Sequence, residues 1–234
     1  MLILFDIDGT LLSTNGAARR AFHRGLLEVY GTAGPIATHT FDGKTDPQIA
    51  RELLRAAGLT DTAIERGFPA LWQAYLRELA AELALPGQQT TVYPGVRELL
   101  DALEALGDRV IVGLLTGNIE PGAEIKLSAA GLAGRFRLGA YGSDREQREA
   151  LPAIAVERAR ALIGREVRGR EIVIIGDTPY DITCGRSLGV RALGVATGRH
   201  DVASLAAAGA DAVFPDLSDT AAALAWILDE GRTG

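Results

Sequence analysis

Short, continuously apolar runs recur along the chain, separated by longer stretches in which apolar residues return every three or four positions. Continuous runs are typical of parallel strands buried on both faces, and the intervening period indicates amphipathic helices. This alternation predicts an α/β fold built on a doubly wound, parallel, Rossmann-like sheet. The runs that we predict as strands are Leu2–Asp6, Val110–Leu115, Phe136–Tyr141, Ile172–Gly176, Ala192–Ala196 and the weaker Ala212–Phe214.

The stretch between the first two predicted strands, roughly residues 13–89, has helical periodicity only. Its longest apolar stripe runs from Phe68 to Leu83, and Asp46-Pro47 predicts a helix with Asp46 as N-cap and proline as its first residue. A connection of about 75 residues is much longer than an ordinary crossover between parallel strands. We therefore predict an inserted helical cap at residues 14–89 and an α/β core formed by residues 1–13 and 90–234.

Composition narrows the class of protein. Of the 234 residues, 47% are hydrophobic and 23% are charged, a globular balance that excludes intrinsic disorder. The net charge is −6 without any basic block, and no apolar run approaches the roughly 18 residues of a membrane span. Neither a nucleic acid nor a membrane is therefore an expected partner. The single cysteine, Cys184, excludes internal disulfides and a cysteine-built metal site, so we expect a cytoplasmic protein. We expect Cys184 itself to be a small core residue.

Polar residues that can carry chemistry follow three of the predicted strands. The carboxyl ends of parallel strands meet at one edge of the sheet, where ligands of open α/β sheets bind. Gly9 lets the backbone turn sharply after the first strand, and a hydroxyl such as that of Thr116, beside free backbone N–H groups, suits a phosphate oxygen. The three segments are Asp6-Ile7-Asp8-Gly9-Thr10, Thr116-Gly117-Asn118 and Gly176-Asp177-Thr178-Pro179-Tyr180-Asp181.

The carboxylates of these segments need a counter-charge. If Asp6, Asp8 and Asp177 converge, they repel one another strongly unless a cation lies between them. Asp181 can lie on the same side as Asp177 if Pro179 opens a helix, although acidic residues at a helix start are also common caps. Hard oxygen ligands of this kind favour Mg²⁺, which binds through one or two carboxylates plus a substrate phosphate. The sequence therefore predicts a Mg²⁺ site at the edge of the sheet.

In this order, the strand-end residues resemble the motifs of the haloacid dehalogenase-like superfamily of phosphohydrolases, over essentially the whole chain. The helical insert after the first strand is similar to that superfamily's helical cap. The segments Phe41-Asp42-Gly43-Lys44-Thr45-Asp46, Tyr93-Pro94-Gly95-Val96 and Lys126–Leu132 look most like its phosphoglycolate-phosphatase branch. The resemblance implies a Mg²⁺-dependent phosphatase that hydrolyses a small phosphorylated metabolite through an aspartyl-phosphate. A phosphoglycolate-like ester is the first candidate substrate, and the protein is expected to be a monomer or a homodimer.

The resemblance also implies a role for each matching residue. Asp6 would be the nucleophile, and Asp8 would protonate the leaving alkoxide and then deprotonate water. Asp6, the backbone carbonyl of Asp8 and Asp177 would hold Mg²⁺, with Asp181 as a ligand through water or as a partner of the direct ligands. The residues expected around the substrate phosphate are Gly9, Thr10, Thr116, Gly117 and Asn118.

Basic residues are where the chain departs from the family pattern. The family usually places a lysine near the end of the third strand, where it binds phosphate and screens the nucleophile, but no lysine follows Lys126. Arg148 is the nearest match, since a planar guanidinium can bridge two phosphate oxygens. Arg145 and Lys126 remain alternatives, as does the interpretation that all three are surface charges. Lys44 is expected to reach the far end of the substrate from the cap, or else to be a surface lysine.

Two alternative functions keep the fold and change the reaction. A phosphonoacetaldehyde hydrolase would form a Schiff base on Lys44, the only lysine of the predicted cap, and a sugar phosphomutase would transfer phosphate between hydroxyls. A non-enzymatic phosphate-binding or signalling module is a third alternative, although receiver modules lack both the Asp-x-Asp-Gly-Thr string and a helical insert. Asp8 argues against a haloacid dehalogenase, since carbon–halogen cleavage needs no acid for the leaving group.

Overall fold

A parallel sheet forms the centre of the computed structural model, which describes residues 1–229. Six strands follow one another in the spatial order β5-β4-β1-β6-β7-β8, and every neighbouring pair is parallel. The two remaining strands, β2 and β3, form a separate antiparallel pair. In chain order the strands are β1 (Leu2–Phe5), β2 (Leu12–Ser13), β3 (Thr91–Val92), β4 (Ile111–Thr116), β5 (Leu138–Tyr141), β6 (Ile172–Gly176), β7 (Arg191–Val195) and β8 (Ala212–Phe214).

Helices cover both faces of this sheet, which confirms the predicted α/β fold with a doubly wound, Rossmann-like sheet. Alternate residues of β1 point to opposite faces: Ile3 and Phe5 pack with α4, α5 and α9, whereas Leu2 and Leu4 pack with α6. None of the helices in residues 1–229 combines the length and the apolar character that crossing a membrane requires. The helices are α1 (Ala17–Tyr30), α2 (Asp46–Ala56), α3 (Asp61–Leu83), α4 (Val96–Glu104), α5 (Glu120–Ala129), α6 (Leu151–Ile163), α7 (Pro179–Cys184), α8 (Val202–Ala207) and α9 (Thr220–Leu228).

The first three helices form an insert with an apolar cluster of its own. Helices α1 and α3 pack so closely that a Cβ on Gly25 would lie 3.2 Å from the backbone nitrogen of Tyr75. The cluster includes Phe22, Leu53 and Tyr75, and Ile119 of the core joins it. The β2–β3 pair ties together the two ends of the insert through Leu12 opposite Val92. The insert is helical as predicted, and the division at residues 14–89 remains a prediction.

The start of α2 corrects one prediction. Asp46 is not the N-cap: the hydroxyl of Thr45 accepts the N–H of Gln48 at 3.2 Å, and Asp46 and Pro47 are the first two helical residues. The prediction was wrong because a cap-forming hydroxyl immediately precedes the aspartate. The Asp46 carboxylate instead accepts the N–H of Ile119 at 2.9 Å, which fastens the insert to the core.

Several predicted strand ends shift by one or two residues because the hydrogen-bonded ladder decides where a strand stops. Strand β1 ends at Phe5 rather than at Asp6, and β4 continues to Thr116. Strand β5 begins only at Leu138, where it first pairs with Gly113. The shift at β1 matters for chemistry because it leaves Asp6 just beyond the ladder.

Cys184 is expected to be chemically inert in the folded protein. Its side chain is 4% exposed within the apolar cluster next to α6, and burial raises the pKa of its thiol to about 12, so the unreactive protonated form dominates at pH 8. We predict negligible reaction with a disulfide reagent at pH 8 in the native state and reaction of one thiol per chain after unfolding in guanidinium. Rapid, stoichiometric labelling of the folded protein would contradict this placement.

Candidate active site

Three carboxylates meet where β1 and β6 end side by side. Asp6 follows β1, Asp177 follows β6, and Asp181 lies in the first turn of α7. Each of them presents an oxygen that lies within 4.8 Å of the oxygens of the other two. All three side chains are buried. The topology thus brings together the carboxylates that the sequence places at separate strand ends.

A capping box fixes Asp181. The Asp181 carboxylate accepts the backbone N–H of Thr178 at 3.0 Å and its hydroxyl at 2.7 Å, and the Thr178 hydroxyl accepts the N–H of Asp181 at 3.3 Å. Such reciprocal bonds satisfy two donors that a helix start leaves free. Asp181 therefore takes part in capping α7, whose N-cap is Thr178, and also belongs to the carboxylate group, the two possibilities that its sequence position left open.

Arg148 supplies the buried positive charge of this group. Its Nη2 donates to Asp6 Oδ1 at 3.0 Å, to the carbonyl of Leu115 at 3.3 Å and to Asp181 Oδ1. The side chain is 3% exposed. Although burial lowers the pKa of a guanidinium, the neighbouring carboxylates of Asp181 and Asp6 hold the pKa of Arg148 above its usual value. Arg145, the alternative three residues earlier, is exposed and donates to the carbonyl of Asp144.

Lys126 also enters the site, but it contacts Asp8 instead of Asp6. Its Nζ lies 2.7 Å from Asp8 Oδ2 and 2.5 Å from Asn118 Oδ1, and its side chain is 4% exposed. The amide of Asn118 donates to the same Asp8 oxygen at 2.7 Å and to the hydroxyl of Thr116 at 2.8 Å. Two of the three basic candidates are therefore inside the site, and each of them holds a different aspartate.

Two glycines permit close approaches at the site. Gly9 has φ +90°, and a Cβ there would lie 2.3 Å from Asp177 Oδ2. A Cβ on Gly117 would lie 2.1 Å from the backbone oxygen of Lys44, so glycine lets the core loop touch the insert. Thr10 is buried, and its hydroxyl donates to Asp177 Oδ1 at 3.0 Å. Gly9 and Thr10 thus shape and hold Asp177 and do not line the cavity next to it.

These residues open into a cavity of about 230 Å³ between the core and the insert. Its core wall carries Asp6, Asp8, Thr116, Gly117, Asn118, Lys126, Arg148, Asp177 and Thr178. Its insert wall combines apolar and aromatic side chains with four charged ones. The lining residues of the insert include Ala18, Arg19, Phe22, Phe41, Asp42, Lys44, Asp46, Ile49 and Tyr75.

Sequence reasoning missed several of these lining residues. Phe22 and Tyr75 belong to helical stripes and serve as core of the insert, so periodicity gave no sign that they also face a cavity. Arg19 follows the apolar position Ala18 and looks like any solvent-facing arginine in the sequence. The only usable signal was Asp46, whose place after a hydroxyl residue could have marked it as free for another role.

Lys44 lines the cavity, and a carboxylate of the insert holds its ammonium group. Lys44 Nζ lies 2.5 Å from Glu52 Oε2, and Gln48 Nε2 donates to the other oxygen of Glu52 at 2.9 Å. Burial by itself raises the pKa of Glu52, yet the hydrogen bonds from Lys44 and Gln48 bring it below its usual value. The positive charge of Lys44 is therefore balanced within the insert.

Burial makes ionisation of the carboxylate group costly in the absence of a cation. It raises the pKa of Asp6 to about 7, with Arg148 opposing the rise and the charges of Asp181 and Asp8 adding to it. The pKa of Asp177 is raised well above its usual value, again mainly by burial and then by Asp181 and Asp6. A divalent cation removes this penalty, and three hard oxygen donors suit such an ion. The group can therefore bind a metal.

Comparison with known proteins agrees with the geometry. The model of the haloacid dehalogenase-like hydrolase family matches residues 3–186. The chain belongs to this family. It is 28% identical, over 212 residues, to the phosphoglycolate phosphatase of Chromobacterium violaceum, a match that covers 88% of this chain and 89% of that protein. The predicted resemblance to the phosphoglycolate-phosphatase-like members of the family is thereby confirmed.

Solved structures of other proteins share the fold. A hydrolase from Pseudomonas syringae superposes with a TM-score of 0.70 at 25% identity, covering 96% of this chain and 98% of that one. CbbY from Rhodobacter sphaeroides, solved in complex with phosphate, superposes with a TM-score of 0.69 at 20% identity, covering 93% and 95%. These two proteins thus share the fold of this chain, and the helical insert, which is consistent with the helical cap of the family, is called the cap below.

Binding of a divalent cation should depend on pH. Below about pH 7 Asp6 carries a proton that a cation must displace, so the affinity for Mg²⁺ should rise from pH 5.5 to 7.5 by up to about tenfold per unit for each proton released, and level off above that range. Isothermal titration calorimetry at four pH values measures this directly. Asp177→Asn should weaken binding at every pH, whereas Asp101→Asn, at an exposed ion pair with Arg135, should not. An affinity that is independent of pH would show that the cation does not compete with a proton on Asp6.

Proposed function

We propose that the protein is a Mg²⁺-dependent phosphatase that hydrolyses a small phosphomonoester through an aspartyl-phosphate on Asp6. The observation that carries this proposal is the position of Asp6. Its carboxylate lies just beyond β1 and lines the cavity, Arg148 binds its Oδ1, and no described residue donates a hydrogen bond to its Oδ2. One oxygen is thus anchored and the other is left for a reacting phosphorus.

The reaction class rests on the family. The family match and the phosphoglycolate phosphatases among its relatives make the chain a phosphoric monoester hydrolase, as the sequence predicted. The particular ester is a matter of proposal. Phosphoglycolate is the first candidate because three relatives, whose matches cover 86–92% of this chain, are named phosphoglycolate phosphatases.

The proposed Mg²⁺ would be held by Asp6, Asp177 and the backbone carbonyl of Asp8. The donor set fits this ion because it consists of hard oxygens, of which the carboxylates of Asp6 and Asp177 are buried. When bound, Mg²⁺ neutralises the repulsion between the nucleophilic carboxylate and the phosphate and stabilises charge on the transferring group. Asp181 bonds to Thr178 through one oxygen and to Arg148 through the other, which suits a role through water or through the direct ligands.

In the first step, Oδ2 of Asp6 forms a bond to phosphorus as the bond between phosphorus and the leaving oxygen breaks. Asp8, in its protonated form, gives its proton to that oxygen, so the leaving group departs as an alcohol. Arg148 stays bound to Oδ1 of Asp6 and to Asp181, which keeps the nucleophile oriented. The hydroxyl of Thr116 and the backbone N–H of Gly117 line the cavity at the end of β4 and would donate to the phosphate oxygens, while Asn118 holds Asp8.

In the second step, water attacks the phosphorus of the aspartyl-phosphate, and Asp8 takes up the proton of that water. The bond between phosphorus and Asp6 breaks, inorganic phosphate leaves, and both aspartates return to their starting states. Lys126 and Asn118 hold the Asp8 carboxylate at the cavity, so the same group can serve both steps. The pairing of Lys44 with Glu52 favours this chemistry over a Schiff base on Lys44. A mutase would be recognised by transfer of phosphate to a sugar instead of phosphate release.

Asp6→Asn should abolish turnover while the protein stays folded, because an amide of the same size is not a nucleophile. We expect phosphate release from p-nitrophenyl phosphate to fall at least about a thousandfold in the presence of Mg²⁺. Asp108→Asn is the matched control, since this side chain is almost fully exposed in its ion pair with Arg137. Residual activity within tenfold of the wild type would exclude covalent catalysis by Asp6.

Asp8→Asn should affect poor leaving groups more than good ones. Hydrolysis of ethyl phosphate needs a proton on the leaving alkoxide, so its rate should fall by about 10² to 10⁴ in the variant. Hydrolysis of p-nitrophenyl phosphate should fall less, because p-nitrophenolate leaves with little protonation. The measurement is the ratio of kcat/KM for the two substrates in the variant and in the wild type. Equal losses on both substrates would remove Asp8 from the role of general acid.

A further inference from the structure

The cap end of the cavity has two basic side chains, and their surroundings differ. Lys44 and Arg19 both line the cavity from the cap. The ammonium of Lys44 is paired with Glu52, as described above. For Arg19, no carboxylate oxygen of the described residues lies within 4 Å of the guanidinium, so this cation has no ion-pair partner there. The charged side chains that act on Arg19 are Arg199 of the core and Asp42, and these two lie 3.5 Å from each other.

The guanidinium of Arg19 is nevertheless held in place. Its Nη2 donates to the carbonyl oxygens of Ile36 and His39, the latter at 2.8 Å. Its central carbon lies 4.3 Å from the centre of the Phe41 ring, a distance at which an aromatic face attracts a cation. In the described part of the chain, Nε and Nη1 of Arg19 have no hydrogen-bond partner. The hydrogen bonds of Nη2 thus orient the guanidinium, and the N–H groups of Nε and Nη1 are left to bind a ligand.

Most charges at this end of the cavity already have a partner. Lys44 is balanced by Glu52 and Asp42 by Arg199, and the carboxylate of Asp46 accepts the N–H of Ile119. The apolar part of the wall includes Phe22, Phe41 and Ile49. A guanidinium that is fixed beside such a wall binds an anion more strongly than one in water, because the anion competes with less solvent. Arg19 therefore has the arrangement of a ligand-binding residue.

We infer that Arg19, and not Lys44, is the cap residue that selects substrates with a second anionic group. This group is a carboxylate on the short carbon chain of the leaving group. The inference rests on the proposed function for the phosphoryl end of the substrate. It adds which residue recognises the other end and what chemistry that end has. Arg19 is a specificity-determining residue, and it takes no part in bond making or breaking.

The test compares phosphoglycolate with ethyl phosphate, which has a methyl group in place of the carboxylate. In the wild type, kcat/KM should be higher for phosphoglycolate. In Arg19→Gln, the ratio of the two kcat/KM values should fall about ten- to a hundredfold, the loss of one charge-assisted hydrogen bond, and Arg19→Lys should restore part of it. In Lys44→Gln, which also removes one positive charge from the cavity wall, the ratio should stay within about threefold of the wild type.

A second measurement does not depend on turnover. 3-Phosphonopropionate and propylphosphonate are a matched pair that the enzyme cannot hydrolyse, and calorimetry gives their Kd values for the wild type and for each variant. The wild type should bind the carboxylate-bearing compound more tightly, and Arg19→Gln should lose that preference. This comparison also guards against misfolding, since a damaged site would lose affinity for both compounds.

The outcomes separate the inference from the proposed function. Hydrolysis without any preference for the carboxylate overturns the assignment of Arg19 and leaves the phosphatase intact. A fall of the ratio in Lys44→Gln and not in Arg19→Gln also overturns it, in favour of Lys44. Absence of hydrolysis of any ester, together with an Arg19-dependent preference in binding, overturns the proposed reaction and supports the role of Arg19.

Discussion

The burial of three carboxylates around one guanidinium is the constraint on which the rest of the site depends. Removing a partner from a buried ion pair costs more than the pair contributes, so every neighbour must keep the group intact. Arg148 bridges Asp6 and Asp181, and Thr10 and Thr178 donate the remaining hydrogen bonds. Backbone makes room as well: a Cβ on Gly176 or on Gly198 would lie 2.2 Å or 1.8 Å from the nearest carboxyl atom.

The cap completes the site by docking on the same loops that carry the chemistry. The N–H of Asp46 donates to the carbonyl of Gly117 at 2.8 Å, and the Thr45 hydroxyl donates to the carbonyl of Glu146 at 2.7 Å. Arg51 of the cap pairs with the Glu146 carboxylate at 2.9 Å. Contacts at the start of α2 therefore hold the cap against the loops that surround the site. Asp6 is 6% exposed, and electrostatic interactions are stronger in such a buried site than in water.

The sequence predicted what local patterns and strand topology determine. Buried strands are continuously apolar, and parallel strands bring their ends together, so the grouping of Asp6 with Asp177 could be foreseen. The capping residue of α2 was missed because Thr45 and Asp46 are both good caps, and only the contact with Ile119 separates them. The place of Lys126 depends on how α5 packs beside the loops after β1 and β4, and that of Arg19 on how the cap sits on the core, and no local pattern encodes either arrangement.

The two ends of the cavity balance their charges in different ways. At the core end, carboxylates outnumber the cations, and a metal ion is the natural completion of the site. At the cap end, Lys44 is balanced by Glu52 and Asp42 by Arg199, so among the described cations that line the cavity from the cap, Arg19 is the one whose charge is available to an anionic ligand. Many mutually dependent contacts consequently hold the side chains that carry out the reaction, whereas few side chains recognise the leaving group. A change of one cap residue can then redirect specificity without disturbing the buried carboxylates.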